Sequence, residues 1–198
     1  MYITQLDTWD EQLAAASAPL VRARRWFMME LSREAALQYA AISENPGEPF
    51  GLRYTGQLAE AEDITQTMLD GLARHRREDM QRMYTTYGPH RDDVALLLCG
   101  RDLRAFGSQG QLRTAVLSMK LGEIRLIENE MDEPPALLLD DVFSELDLKR
   151  RNALLKSTEG IQTILSCTDK ADAAGAKADE FIRVSQNEHG AAMLETEV

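Results

Sequence analysis

Soft metal ligands are scarce in this chain of 198 residues: there are two cysteines, Cys99 and Cys167, and three histidines. None of the five stands at zinc-ligand spacing to another, which excludes a disulfide scaffold and a zinc module. Both cysteines sit in apolar, strand-like runs and read as reduced core thiols, and His75 and His189 read as solvated. Long apolar runs are missing as well; stretches such as 94–99 fall far short of the roughly 20 residues that a membrane-spanning helix needs. The first residues lack the basic start and apolar stretch of a secretory leader, so the expected location is cytoplasmic, with no membrane partner. There is no basic excess, since Lys and Arg total 22 against 33 Asp and Glu. A net charge of −11 argues against broad, sequence-independent coating of nucleic acid. Also absent is any Gly-x-x-x-x-Gly-Lys-Ser/Thr stretch, the loop whose amides and lysine cradle nucleotide phosphates.

The composition that remains, 44% hydrophobic and 28% charged, is that of an ordinary globular chain. The acidic excess is uneven: residues 1–122 hold 16 acidic and 14 basic side chains, and residues 123–198 hold 17 and 8. Local arginine clusters (Arg22, Arg24, Arg25; Arg74, Arg76, Arg77) read as solvated helix faces, with a nucleic-acid patch as the alternative. Residues 5–43 predict one long helix or two shorter ones broken at Pro19, with Leu13, Leu20, Phe27, Leu31 and Leu37 near helical spacing and Trp9, Trp26 and Phe27 as packing anchors. After the breaker-rich loop 44–49 come a short strand at 50–54 and a helix at 58–83, expected to pair with the first as an antiparallel arm burying Met68, Leu69 and Leu72 against Phe27 and Leu31. From residue 84 the pattern changes to strands at 94–99, 136–139, 163–167, 181–185 and 191–195, with helices at 108–130, 147–157 and 170–178. The expected division is therefore a helical arm, 1–83, and an α/β layer, 84–198.

Two blocks carry chemistry. In Gly107-Ser108-Gln109-Gly110-Gln111, a Ser followed three residues later by Gln forms a capping box ahead of an apolar helix. The same helix start, with free amides, a hydroxyl and a glycine, is also a seat for a phosphate. In Leu137-Leu138-Leu139-Asp140-Asp141, an apolar strand delivers two carboxylates at its carboxyl end, where α/β sheets place ligands. Asp140 fits a Mg²⁺ ligand and Asp141 an orienter of attacking water, although a surface turn capping the next helix would use the same residues. Ser144-Glu145-Leu146-Asp147 follows directly.

These blocks, in this order, resemble those of the RecF family of DNA repair ATPases, relatives of the ABC and SMC proteins. Tyr87-Gly88-Pro89-His90-Arg91-Asp92-Asp93 is similar to a further motif of that family, and Trp9-Asp10-Glu11-Gln12-Leu13 to the start of its helical arm. The resemblance implies an α/β fold: the C-terminal half of an ABC-type ATPase head, with an N-terminal helical arm and without the phosphate-loop half. It implies that Ser108, Gln109, Gly110 and Gln111 form a signature that closes on ATP held by a second subunit, that Asp140 binds Mg²⁺ and that Asp141 is catalytic. Ser144 and Asp147 then belong to a D-loop at the dimer interface, and Thr168 stands near a γ-phosphate-sensing position usually held by His. Implied partners are DNA, single-stranded or duplex and junction, the missing phosphate-loop half, a second copy in the presence of ATP, and mediators of the RecO and RecR type. Alone, the chain is expected to turn over ATP negligibly and to self-associate through uncovered surface. A non-enzymatic interaction module and another SMC-like head remain alternatives, and His90 to Asp93 stay open between a charged turn and a contact.

Overall fold

The computed structural model describes residues 2–43, 45, 47–131, 133–169, 173, 176–186 and 191–197. Helix α1, Tyr2–Ile42, is continuous through Pro19. The missing proline N–H leaves the carbonyl of Ala15 on an exposed face, where water can serve it. Strand β1, Phe50–Thr55, leads to α2, Ile64–Arg82, which starts on an Asp63 cap and ends at Met83 in the left-handed region. A 3-10 turn, Pro89–Arg91, precedes β2, Asp93–Leu98, and β3, Arg101–Asp102. Then come α3, Leu103–Phe106; α4, Gln109–Met131; β4, Leu137–Leu139; α5, Leu148–Ser157; β5, Thr163–Leu165; β6, Phe181–Gln186; and β7, Ala192–Glu197. The helix expected at 170–178 falls largely outside the described residues, as does His189.

Strands β1, β2 and β3 form an antiparallel sheet, β4 and β5 pair in parallel, and β6 and β7 form a hairpin. Cys99 corrects the reading of a core thiol: it is exposed, in a two-residue hairpin turn with Gly100, both at positive φ (51° and 75°). Such turns match the twist of the strands they join, and pairing of Leu98 with Arg101 leaves no room to continue β2 through Cys99.

Three apolar clusters hold the chain together, and α1 contributes to each. Ala14, Ala18 and Val21 pack on Ile64, Met68 and Leu72 of α2; Ala35 and Tyr39 pack on Phe50, Leu96, Leu98 and Ala115; Ile42 joins Leu121, Ile124, Leu137, Leu139, Phe143 and Leu154. The helices α1 and α2 run antiparallel, with Arg76 Nη2 2.9 Å from Asp7 and 2.5 Å from Asp10. Met68 and Leu72 therefore meet Ala14, Ala18 and Val21 rather than Phe27 and Leu31. Trp9 and Trp26, expected as packing anchors, are 65% and 52% exposed and belong to none of these clusters. The physical reason is close approach: where α1 faces α2 its buried stripe is Ala14, Ser17, Ala18 and Val21, and larger buried side chains, Leu31, Tyr39 and Ile42, come only in its second half.

Of the arginines expected on a solvated face of α1, Arg22 is exposed, but Arg24 and Arg25 tie the helix to distant parts of the chain. Arg25 Nη2 donates to the carbonyls of Leu58 and Ala61 at 2.6 and 2.7 Å. Arg24 Nη1 donates to the Pro89 carbonyl at 2.5 Å and to Asp92 Oδ2 at 3.3 Å, and the Tyr54 hydroxyl donates to the same oxygen. Burial, and then Asp92, push the Tyr54 phenol up. His75, read as solvated, is half-buried, with Nδ1 3.1 Å from Thr86 Oγ1 and its ring 5.3 Å from that of Tyr87.

Candidate functional site

The acid pair sits where β4 ends. Leu137 and Leu139 are buried in the core and alternate with exposed Leu138, so the strand delivers Asp140 and Asp141 at the carboxyl edge of the parallel pair. Asp140 is exposed, and its Oδ1 accepts from Ser166 Oγ at 2.5 Å. The same hydroxyl accepts from the backbone N–H of Asp141 at 3.0 Å. Asp141 adopts a left-handed conformation (φ 48°), and Ser144 Oγ lies 2.8 Å from its carbonyl oxygen and 3.0 Å from its Oδ2. One serine just past β5 and one from the turn after β4 thus each hold one of the two carboxylates.

Ser166 was not singled out by sequence reasoning. Its signal was a hydroxyl directly after the apolar strand run, but only the register Leu139 to Leu165 places it beside Asp140. The strand also ends at Leu165, earlier than the expected 167, and the next residue, Ser166, turns its hydroxyl to the acids. Thr168 is exposed, past the end of that strand.

At the other block the capping box forms: the Ser108 N–H donates to Gln111 Oε1 at 2.9 Å, and the Gln111 N–H to Ser108 Oγ at 3.2 Å. The box engages the N–H groups of Ser108 and Gln111, so a phosphate seated at this helix start would draw on those of Gln109 and Gly110. Gln109 is exposed and Gly110 half-buried. Asp147 caps α5, with Oδ1 accepting from the Arg150 N–H at 2.9 Å and Oδ2 from Arg150 Nη1 at 2.7 Å. The backbone N–H of Arg150, and then its charge, hold the Asp147 carboxyl below the usual range against the effect of burial. Ser108 to Gln111 and Asp140 to Ser144 are two separate groups, with Asp147 joined to the first through Arg150.

The motif at 87–93 folds with a buried and an outward side. Tyr87 packs over Gly71, the Gly88 N–H donates to Gln57 Oε1 at 2.9 Å, and Asp92 is clasped by Arg24 and Tyr54. His90 and Arg91 are exposed, and the Arg91 guanidinium stands 5.2 Å from the centre of the Tyr84 ring.

Among the described residues, no group of three or more His, Cys, Asp or Glu side chains could hold a metal by itself, and no helix is long and apolar enough to cross a membrane. A Mg²⁺ ion at Asp140 would need phosphate and water oxygens to complete its shell, which fits a single hard carboxylate beside a nucleotide.

No protein-family model matches the sequence. Curated proteins named "DNA replication and repair protein RecF" do: that of Alkaliphilus oremlandii is 43% identical over 168 residues, 82% of this chain and 46% of the relative. That of Symbiobacterium thermophilum is 43% identical over 171 residues, 83% and 45% of the two chains. The chain thus spans about half the length of the curated relatives it matches. Among solved structures, the recombination mediator protein RecF-ATP of the RecFOR pathway superposes with a TM-score of 0.82 at 31% identity, over 98% of this chain and 51% of that one. A structure from work on ATP-driven dimerization and DNA-stimulated activation of SMC ATPases gives 0.53 at 17% identity, over 90% and 89%, a likeness of fold alone. The strands and helices described above are therefore those of an ABC-type ATPase head, and the chain belongs to the RecF family.

Proposed function

We propose that this chain is the distal part of a RecF-type DNA recombination and repair protein, supplying the signature, Mg²⁺ carboxylate and D-loop of an ATP site whose phosphate loop lies outside the sequence in hand. The observation that carries this reading is the acid pair Asp140 and Asp141, held by Ser166 at the carboxyl end of the parallel strands. Asp140 has one oxygen engaged by Ser166 and the other open toward a metal; Mg²⁺, when bound, neutralises charge on the β- and γ-phosphates. Asp141 orients water for attack on the γ-phosphorus, and Ser144 restrains its carboxylate. Ser108, Gln109, Gly110 and Gln111 present the first turn of α4 to the nucleotide of a second copy, whose approach also engages Ser144 and Asp147 and brings Thr168 near the γ-phosphate. In this reading residues 1–83 are the arm and 84–198 the head.

The surfaces left bare support a missing half. Leu138 and Ile164, paired across β4 and β5, are 71% and 61% exposed, and on the hairpin Val184 faces Leu194, at 68% and 71%. Apolar faces of that kind are normally covered. For DNA, the surface assigned is Arg82, Tyr84, His90 and Arg91, which offers exposed cations beside an aromatic ring. The RecO and RecR type mediators and the dimer formed with ATP belong to the same assembly.

The test is MgATP turnover by this chain mixed with a separately produced phosphate-loop half, with Asp141→Asn as control. Turnover only in the mixture, lost with Asp141→Asn, is expected. A verified complex of the halves with neither nucleotide binding nor turnover overturns the reading.

A further inference from the structure

One side chain touches both the D-loop acid and the signature glycine. Arg150, in the first turn of α5, holds both oxygens of Asp147, one through its backbone N–H and one through Nη1, at 2.9 and 2.7 Å. Its side chain is only 17% exposed, and its guanidinium lies against Gly110 of α4: a Cβ placed on that glycine would stand 3.4 Å from Nη1, 3.6 Å from Nη2 and 3.8 Å from Cζ.

We propose that Arg150 is a positioning residue that sets the spacing between Asp147 and Gly110, the two features of this chain that face the nucleotide of a second copy. The proposal rests on the composite-site reading above. Arginine suits the task because its guanidinium is rigid and carries several donors: Nη1 binds the Asp147 carboxylate while the same group stands beside Gly110, where no side chain intervenes. Lysine keeps the charge but not the fixed fork of donors. The D-loop and the first turn of α4 belong to different elements, each with its own local cap, and phosphate recognition tolerates about 0.5 Å of error between such groups. Bridging the two caps with one guanidinium makes them move together when a second copy closes. It also means that Asp147 meets the partner as one member of an ion pair, not as a lone carboxylate.

The experiment uses the full-length parent protein with Arg150→Ala, Arg150→Lys and Asp141→Asn. It measures the affinity for a fluorescent ATP analogue, MgATP turnover and the thermal midpoint. For Arg150→Ala the expected result is a turnover loss of about 10- to 100-fold with nucleotide affinity kept within about threefold, because the nucleotide is held by the phosphate loop and only its closure is misplaced. Arg150→Lys is expected to recover the thermal midpoint but not turnover. Near-normal turnover in Arg150→Ala, alongside loss in Asp141→Asn, overturns the Arg150 proposal alone. Affinity, stability and turnover falling together in Arg150→Ala also overturn it, since that is the mark of a merely structural residue. Undiminished turnover in Asp141→Asn overturns the composite-site reading and this proposal with it.

Discussion

Replacing Gly122 by alanine tests how closely α4 is laid on α1. A Cβ at that position would stand 2.9 Å from the backbone nitrogen of Ala35, 3.2 Å from its Cα and 3.3 Å from the carbonyl carbon of Glu34. These are backbone atoms in the middle of a long helix, so relief requires the helices to separate, unlike a side chain that can rotate aside. Overpacking of this kind costs about 1–3 kcal/mol. The intrinsic preference of a helix for alanine over glycine returns about 1 kcal/mol, leaving a net loss of up to about 2 kcal/mol. For a chain of this size that corresponds to a fall of several degrees in thermal midpoint, at about 2–4 °C per kcal/mol. Gly110, on the same helix, is the control, because a Cβ there would meet only the guanidinium end of Arg150, at an ordinary contact distance of 3.4 Å or more. Gly110→Ala is therefore expected to raise the midpoint slightly while Gly122→Ala lowers it, read by thermal or urea unfolding of the two variants side by side. Equal stabilisation by both would refute the close helix contact.

Ser166→Ala removes the hydroxyl that steadies Asp140 and Asp141, and turnover of the complete protein is expected to drop about 10- to 100-fold, as for other groups that orient metal ligands; an unchanged rate would separate Ser166 from the chemistry. Asp147→Asn weakens the cap on α5. Because the folded carboxyl titrates below its unfolded value, its contribution is complete above about pH 4 and fades as pH falls through the folded value. The gap in urea midpoint between wild type and Asp147→Asn should hold from pH 5 to 8 and close below about pH 4, and a gap that widens in acid would contradict this. Asp92→Ala leaves Arg24 and Tyr54 without their shared acceptor and should cost about 2–3 kcal/mol in urea unfolding.

Elements with strong periodicity were legible in the sequence: the strand expected at 94–99 forms at Asp93–Leu98, and the helix expected at 108–130 forms at Gln109–Met131. The face of α1 was legible only in part. Of the large apolar residues at helical spacing, Leu31 is buried but Leu13, Leu20 and Leu37 are exposed, whereas Ala14, Ser17, Ala18 and Ala35 are buried, because partners that come close leave room only for small side chains. At the site, the closeness of Asp140, Asp141 and Ser144 was readable since they fall within five residues directly after an apolar strand. Ser166 and Arg150 were not, because strand register and the packing of α5 on α4 decide what they touch.

The unbroken course of α1 has a mechanical consequence. Its 41 residues extend about 60 Å at 1.5 Å per residue. Tyr39 and Ile42 lie at the end packed beside α5 and the acid-bearing strand, and Asp7 and Asp10 at the far end grip Arg76. A rod of that length acts as a lever: a rotation of about 5° at Ile42 sweeps the opposite tip through about 5 Å. A turn of the Ile42 end would then be felt as a displacement as wide as a helix turn at the end where Asp7 and Asp10 tie α1 to α2.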